Sequence, residues 1–318
     1  MGMPNHSGNT PAQTRHLVAG EREENRMQGR KIDLAVEAKE LAEESARDLT
    51  ELPGVRAREE EVEGLPLTRV EILTEEGAAL VGKPRGTYLT LTLPALPQQR
   101  EEIRQQARAV AAALGMLPAL PRQGPVLVVG LGNRRVTPDA LGPRATEHLL
   151  VTRHLPLPFR PVAALAAGVT GSTGMESGEL LRAVAGELRP ACIIAVDALA
   201  ARRQERVCRT IQLCDTGIVP GSGVGNARMA LDRATLGVPV LAVGVPTVVE
   251  AGTLCLDLLE QAGQPPDPAL LAGQQEPWFV TPRSIDSEVE TLAQVVGWGI
   301  SAAVHVDFSV EDVENFLT

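Results

Sequence analysis

Two aspartates stand in the same tripeptide, Asp-Ala-Leu: Asp139 in VTPDALGP (residues 136–143) and Asp197 in AVDALAAR (residues 195–202). Each follows an apolar run that reads as a buried strand, and each is placed as if to open a helix. An aspartate there can be simply an N-cap, since its carboxylate accepts the free N–H groups of a first helical turn. Together the two allow more. If their strands are neighbours in a parallel sheet, both carboxylates converge above its carboxyl edge. Two carboxylates held close cannot both ionise easily, so one keeps a proton while the other acts as base. Such a pair can activate water and protonate a leaving amine. The same oxygens could instead hold a divalent metal, aided by Glu176 or Asp215. Spacing alone leaves both uses open.

Other chemistries find little support. GLGN (130–133) follows a strand, but the third glycine of a dinucleotide fingerprint is missing and a proline lies where the helix should have begun. GVTGSTG (168–174) and PGSGVGN (220–226) lack the Lys-Ser or Lys-Thr that ends a phosphate loop. Their glycines, Gly168, Gly171, Gly221 and Gly223, let backbone approach backbone or an extended substrate. The histidines show no HExxH spacing, and no GxSxG is present. Cys192, Cys208, Cys214 and Cys255 form no CxxC pair and read as reduced structural residues.

The elements that must position the aspartates are legible from apolar periodicity. Strands are expected at VLVVGL (126–131), PVAALAA (161–167), CIIAV (192–196), TIQLC (210–214) and VPVLAVGV (238–245), with helices over residues 98–115, 176–187, 251–262 and 284–303. The stretch from Asp139 to Leu150 reads as helical. Residues 33–44 form a further helix that Asp33 could cap. Continuous apolar runs alternating with helices predict an α/β fold, a mostly parallel doubly wound sheet flanked by helices. TRVEIL (68–73) and GTYLTLTL (86–93) add a small β-rich region at about 65–95, joined by a connection at 75–85. The expected organisation is a polar leader over residues 1–33 and a single domain over 34–318. Residues 262–275 read as a surface linker, and the tail after 303 as polar.

The 318 residues suffice for a substantial core, and with only 2% aromatics that core must be aliphatic. A formal charge of −10 without a basic block argues against direct nucleic-acid binding but does not exclude a basic protein as substrate, which an acidic surface would attract. No signal peptide or membrane span is visible, so a soluble, cytoplasmic chain is expected.

These residues also carry a resemblance. GLGNRRVTPDALGP (130–143), IAVDALAAR (194–202) and IQLCDTGIVPGSGVGN (211–226) resemble the germination protease family of spore-forming bacteria. KIDLAVEA (31–38), VLAVGVPTVV (240–249) and VTP (280–282) strengthen the match over roughly residues 30–305. The resemblance implies an endopeptidase that cuts small acid-soluble spore proteins during germination, in the developing spore core. It implies a homotetrameric zymogen with a fold similar to hydrogenase maturation proteases. The family's two essential aspartates match Asp139 and Asp197. The family has been classed both as metallo- and as aspartic-type, so a divalent metal is the one possible cofactor. Its autoprocessing site, in which an acidic residue precedes an apolar one, a small one and a further acidic one, matches Asp33-Leu34, followed by Ala35 and Glu37. Two features depart from the family: a leader about twice the usual length, and a shortened region at about 262–279. The different readings left standing are a metal-dependent or maturation-protease-like peptidase and a non-catalytic peptide-binding protein.

Overall fold

The structure is a computed structural model that describes residues 32–45, 52–156, 159–222, 228–264 and 277–317. The expected leader up to residue 31, Gly223 and most of the 262–275 linker lie outside the described residues. The chain opens on α1 (Ala35–Ser45), then β1 (Val55–Val62) and β2 (Leu65–Ile72), an antiparallel pair. Glu63 and Gly64 between them both have positive φ, the backbone of a tight hairpin turn. Next come α2 (Glu75–Val81), β3 (Gly86–Thr92), α3 (Arg100–Gly115) and β4 (Val126–Leu131). A 3-10 turn at Thr137–Asp139 leads into α4 (Leu141–Ala145). Then follow β5 (Val162–Gly168), α5 (Thr170–Thr173), α6 (Ser177–Leu188), β6 (Cys192–Ala201) and β7 (Thr210–Cys214). The chain continues through α7 (Arg233–Leu236), β8 (Val240–Glu250), α8 (Ala251–Gln261), β9 (Phe279–Val280), α9 (Ile285–Val304) and α10 (Val310–Leu317).

One sheet runs β1-β2-β3-β7-β8-β6-β4-β5, with β9 added to the end of β8. The α/β class is as expected, and the doubly wound block is β8-β6-β4-β5, all parallel. From β8 outward through β7, β3, β2 and β1 every pair is antiparallel, so the sheet is mixed. The β-rich region therefore extends the main sheet. Residues 202–209, which join β6 to β7, are too few for the helical crossover of a parallel return, so β7 reverses.

Strand β4 shows why its sequence is uniformly apolar. Val126 and Val128 pack with Val110 and Leu114 of α3 and with Val289 and Val296 of α9. Leu127, Val129 and Leu131 face the other way, onto Leu181 and Ala185 of α6. Both faces are covered, so alternation disappears.

Two local readings change, and one strand stands outside the expected β-rich region. Residues 75–81 are helical: Thr74 accepts the N–H of Gly77 and Gly82, at φ +68°, closes the last turn. β1, VRAREEEV, is a charged edge strand, tied to β2 by an Arg69–Glu60 ion pair of 2.8 Å. The tail forms α10, where Asp312 accepts the N–H and hydroxyl of Ser309 and returns its own N–H to Ser309 Oγ. Among the described residues no helix is long and apolar enough to cross a membrane.

Candidate active site

Asp139 sits in the loop that leaves β4. At Gly132 the chain turns with φ +106°, and a Cβ there would meet the carbonyl oxygen of Asp139, so only glycine fits. The next N–H, of Asn133, donates to Asp139 Oδ2 at 2.7 Å. The loop is pinned from below by Thr247 of β8, whose hydroxyl donates to the Pro138 carbonyl at 2.7 Å. Asp139 ends the 3-10 turn, two residues ahead of α4, and does not cap that helix. Burial pushes its carboxyl up; the Asn133 N–H and the positive charge of Arg228 draw it back.

Asp197 departs further from expectation. It lies inside β6, opposite Gly244 of β8, and opens no helix. The pairing of β6 with β4 ends at Val196, whereas pairing with β8 runs on to Ala201. Asp197 therefore stands where one edge of β6 has just lost its neighbour. Its Oδ1 accepts the N–H of Ala198 at 2.9 Å. Burial, then the charges of Asp139 and Asp33, raise its carboxyl well above the usual range, against the Ala198 N–H and Arg228.

The vacated edge is taken by the residues ahead of α1. Asp33 N–H donates to the Ala200 carbonyl at 3.1 Å, and the Ala200 N–H donates to Asp33 Oδ2 at 2.9 Å. The other carboxylate oxygen of Asp33 accepts Ser222 Oγ at 2.8 Å. Asp33 thus does not cap α1. Leu34 and Ala35 are fully buried. The Glu37 side chain, also fully buried, accepts the N–H groups of Arg202 at 2.6 Å and Arg203 at 3.0 Å, with the Arg206 guanidinium 3.4 Å away. Burial pushes the Glu37 carboxyl up against these donors.

A cavity of about 60 Å³ is bounded by Asp33, Asp139, Asp197, Ala198 and Ser222, among others. A larger one of about 290 Å³ shares Asp139, Asp197 and Gly221 and adds Gly168, Arg228 and Phe279. The structure thus brings Asp139, Asp197, Asp33, Gly168 and Gly221 to one place. Gly171, in α5, Glu176 and Asp215 line neither cavity. Glu176 accepts the Met229 N–H at 3.1 Å, and Asp215 accepts the Thr87 N–H at 2.8 Å between β3 and β7. Among the described residues no three His, Cys, Asp or Glu side chains are grouped to hold a metal ion. The set Asp139, Asp197, Glu176 and Asp215 does not fit one, because its last two members are held elsewhere.

A family-wide sequence profile described as germination protease matches residues 35–262. This chain belongs to the germination protease family. It is similar to the germination protease of Caldanaerobacter subterraneus, 40% identical over 91% of this chain and 98% of the relative. Those of Clostridium perfringens and Priestia megaterium are 38% and 36% identical, each over 90% of this chain and over 98% and 95% of their own lengths. Membership makes the chain a peptidase. Among solved structures, the NiFe hydrogenase maturation protease HycI of Thermococcus kodakarensis aligns with 55% of this chain and 91% of its own, at 16% identity and a TM-score of 0.33.

Two residues of this germination protease site escape a reading of the sequence. Arg228 faces both aspartates across the larger cavity and donates to Thr170 Oγ1 at 3.3 Å. Nothing in its local sequence marks it. Gln212 touches the Asp33–Ala35 segment on both sides of Leu34. Its signal was present: a carboxamide in a strand buried at every position.

Proposed function

We propose that this chain is an endopeptidase that hydrolyses its own Asp33–Leu34 bond and the corresponding bonds of small acid-soluble spore proteins, with Asp139 and Asp197 as the catalytic pair. The observation that carries the reading is a shared cavity: Asp33, Asp139 and Asp197 bound one space large enough for water. The doubled hydrogen bond between Asp33 and Ala200 supports strand-like seating of the peptide along the open edge of β6.

Asp197 is the deeper carboxyl and is flanked by two negative charges, so it holds the shared proton, and Asp139 is the base; the pair titrates as a unit. Asp139 takes a proton from water as the water oxygen bonds to the Asp33 carbonyl carbon. The carbonyl oxygen, receiving the π electrons, accepts the Asp197 proton. In the collapse Asp139 passes its proton to the Leu34 nitrogen and the C–N bond breaks. One hydroxyl of the diol returns a proton to Asp197, leaving a carboxylic acid on Asp33 and a free amine on Leu34.

The pattern of substrate follows from the seated residues. Ala35 is fully buried, and the carboxylates of Asp33 and Glu37 each meet two or more donors. Spore proteins presenting acidic, apolar, small and acidic side chains in that order would occupy the same positions. The family resemblance further supports a homotetramer, tested by sedimentation at four times the 33.7 kDa chain. The functional test is incubation of the processed enzyme with a small acid-soluble spore protein. New fragments starting at the apolar residue after an acidic one are expected. A spore protein that binds and stays intact for hours would overturn the reading in favour of a peptide-binding protein.

A further inference from the structure

Strand β7 reads Thr-Ile-Gln-Leu-Cys and is buried throughout. A carboxamide at its centre needs partners for one oxygen and one NH2 group, since buried polar atoms are rarely left alone. Gln212 finds them, among the described residues, only at the first residue of α1 and on the segment just ahead of it. Its Oε1 accepts the Ala35 N–H at 2.6 Å, and its Nε2 donates to the Asp33 carbonyl oxygen at 3.4 Å. A backbone N–H can only donate, so the Ala35 contact fixes the orientation: oxygen toward Ala35, nitrogen toward Asp33. Neighbouring strands place Thr90 and Gly244 opposite Gln212, which holds its backbone in mid-sheet. The two contacts bracket one residue, Leu34, by touching the peptide group on either side of it. The accepted N–H belongs to the residue after Leu34, and the carbonyl is that of the Asp33–Leu34 bond.

We infer that Gln212 is a catalytic residue, which grips the peptide through Ala35 and donates a hydrogen bond to the Asp33 carbonyl oxygen as negative charge develops there. The inference rests on hydrolysis at Asp33–Leu34 by the aspartate pair. A donor bond that is long in the resting peptide and strengthens as charge builds favours the transition state over the substrate. The carbonyl oxygen has two lone pairs, so one can face Gln212 while the other takes the Asp197 proton. A substrate in place of the segment would meet the same two atoms, whatever its side chains.

The test uses the full chain and follows removal of residues 1–33 by intact mass. Gln212→Glu keeps the acceptor for Ala35 and loses the N–H donor; Gln212→Leu loses both. Self-cleavage by Gln212→Glu at neutral pH should fall about 100-fold, the typical cost of one such donor. Its rate relative to the parent should recover toward acid pH, where the protonated carboxyl regains a donor. Gln212→Leu should stay slow at every pH; should it fail to fold, the Glu variant decides. Hydrogen exchange at Ala35 separates gripping from catalysis. Slow cleavage with the Ala35 N–H still protected supports the assignment, and slow cleavage with it unprotected overturns it in favour of seating alone. Parent-rate cleavage by both variants also overturns it. An Asp139→Asn chain that cuts at the parent rate would instead sink the aspartate-pair reading, whatever Gln212 does.

Discussion

Ala200 and Asp33 are hydrogen-bonded to each other twice, backbone N–H to carbonyl at 3.1 Å and backbone N–H to carboxylate at 2.9 Å. Ala200 lies three residues beyond Asp197 on the same strand, past the point where β4 leaves β6. The Asp197 carboxyl, proposed as catalytic, and the edge that holds Asp33 are thus parts of one β-strand. Their spacing is set by strand geometry, and no loop intervenes.

The first consequence concerns stability. The Asp197 carboxyl is raised in the folded chain, chiefly by burial, so the folded state keeps a proton that the unfolded state releases. Stability from this group is full below the ordinary aspartate range, about pH 4, and is lost as pH rises toward the raised value, at about 1.4 kcal/mol per pH unit. Asp197→Asn removes the loss while its amide oxygen can still accept the Ala198 N–H. Thermal melting should show the variant gaining on the parent from pH 4 to pH 7. A constant difference in melting temperature across that range would contradict this.

Arg228 draws both aspartates down. Arg228→Met should therefore raise the pair, and the acid limb of the pH–rate profile for kcat/KM should move to higher pH. Titrating cleavage of a peptide spanning residues 28–42 by the processed variant measures the limb. A displacement to lower pH would run against the account.

Glu37 is held by two backbone N–H groups and Arg206. One hydrogen bond to a charged group is worth about 1.5–3 kcal/mol, so a Glu37→Ala chain that loses the equivalent of at least one should cleave itself at least about 10-fold more slowly. Arg206→Ala leaves the N–H pair in place and should slow it less. Mass spectrometry of the time course gives both rates, and an unslowed Glu37→Ala chain would remove Glu37 from substrate recognition.

The strands of the parallel block were legible because a strand covered on both faces is apolar at every position, as β4 is throughout and β6 is up to Val196. The Asp139 and Asp197 positions followed from where those runs end. What periodicity could not show was length. β6 continues through Asp197 for four further residues because its pairing with β8 persists after β4 departs, and that pairing overrides the helix preference of Ala-Leu-Ala-Ala. The charged strand β1 was hidden because an edge strand owes its place to pairing with β2. Arg228 and the Asp33–Ala200 contact join residues distant in sequence, and no local pattern encodes them.

Asp139 and Asp197 are proposed to cut the peptide seated at Ala200. The most direct test of that proposal is the intact mass of the full chain and of its Asp139→Asn form, followed over time at mildly acidic pH. Loss of residues 1–33 is expected in the parent, with a rate about 100- to 10,000-fold lower in the variant, the usual contribution of a general base. Equal loss in both chains would contradict the proposal.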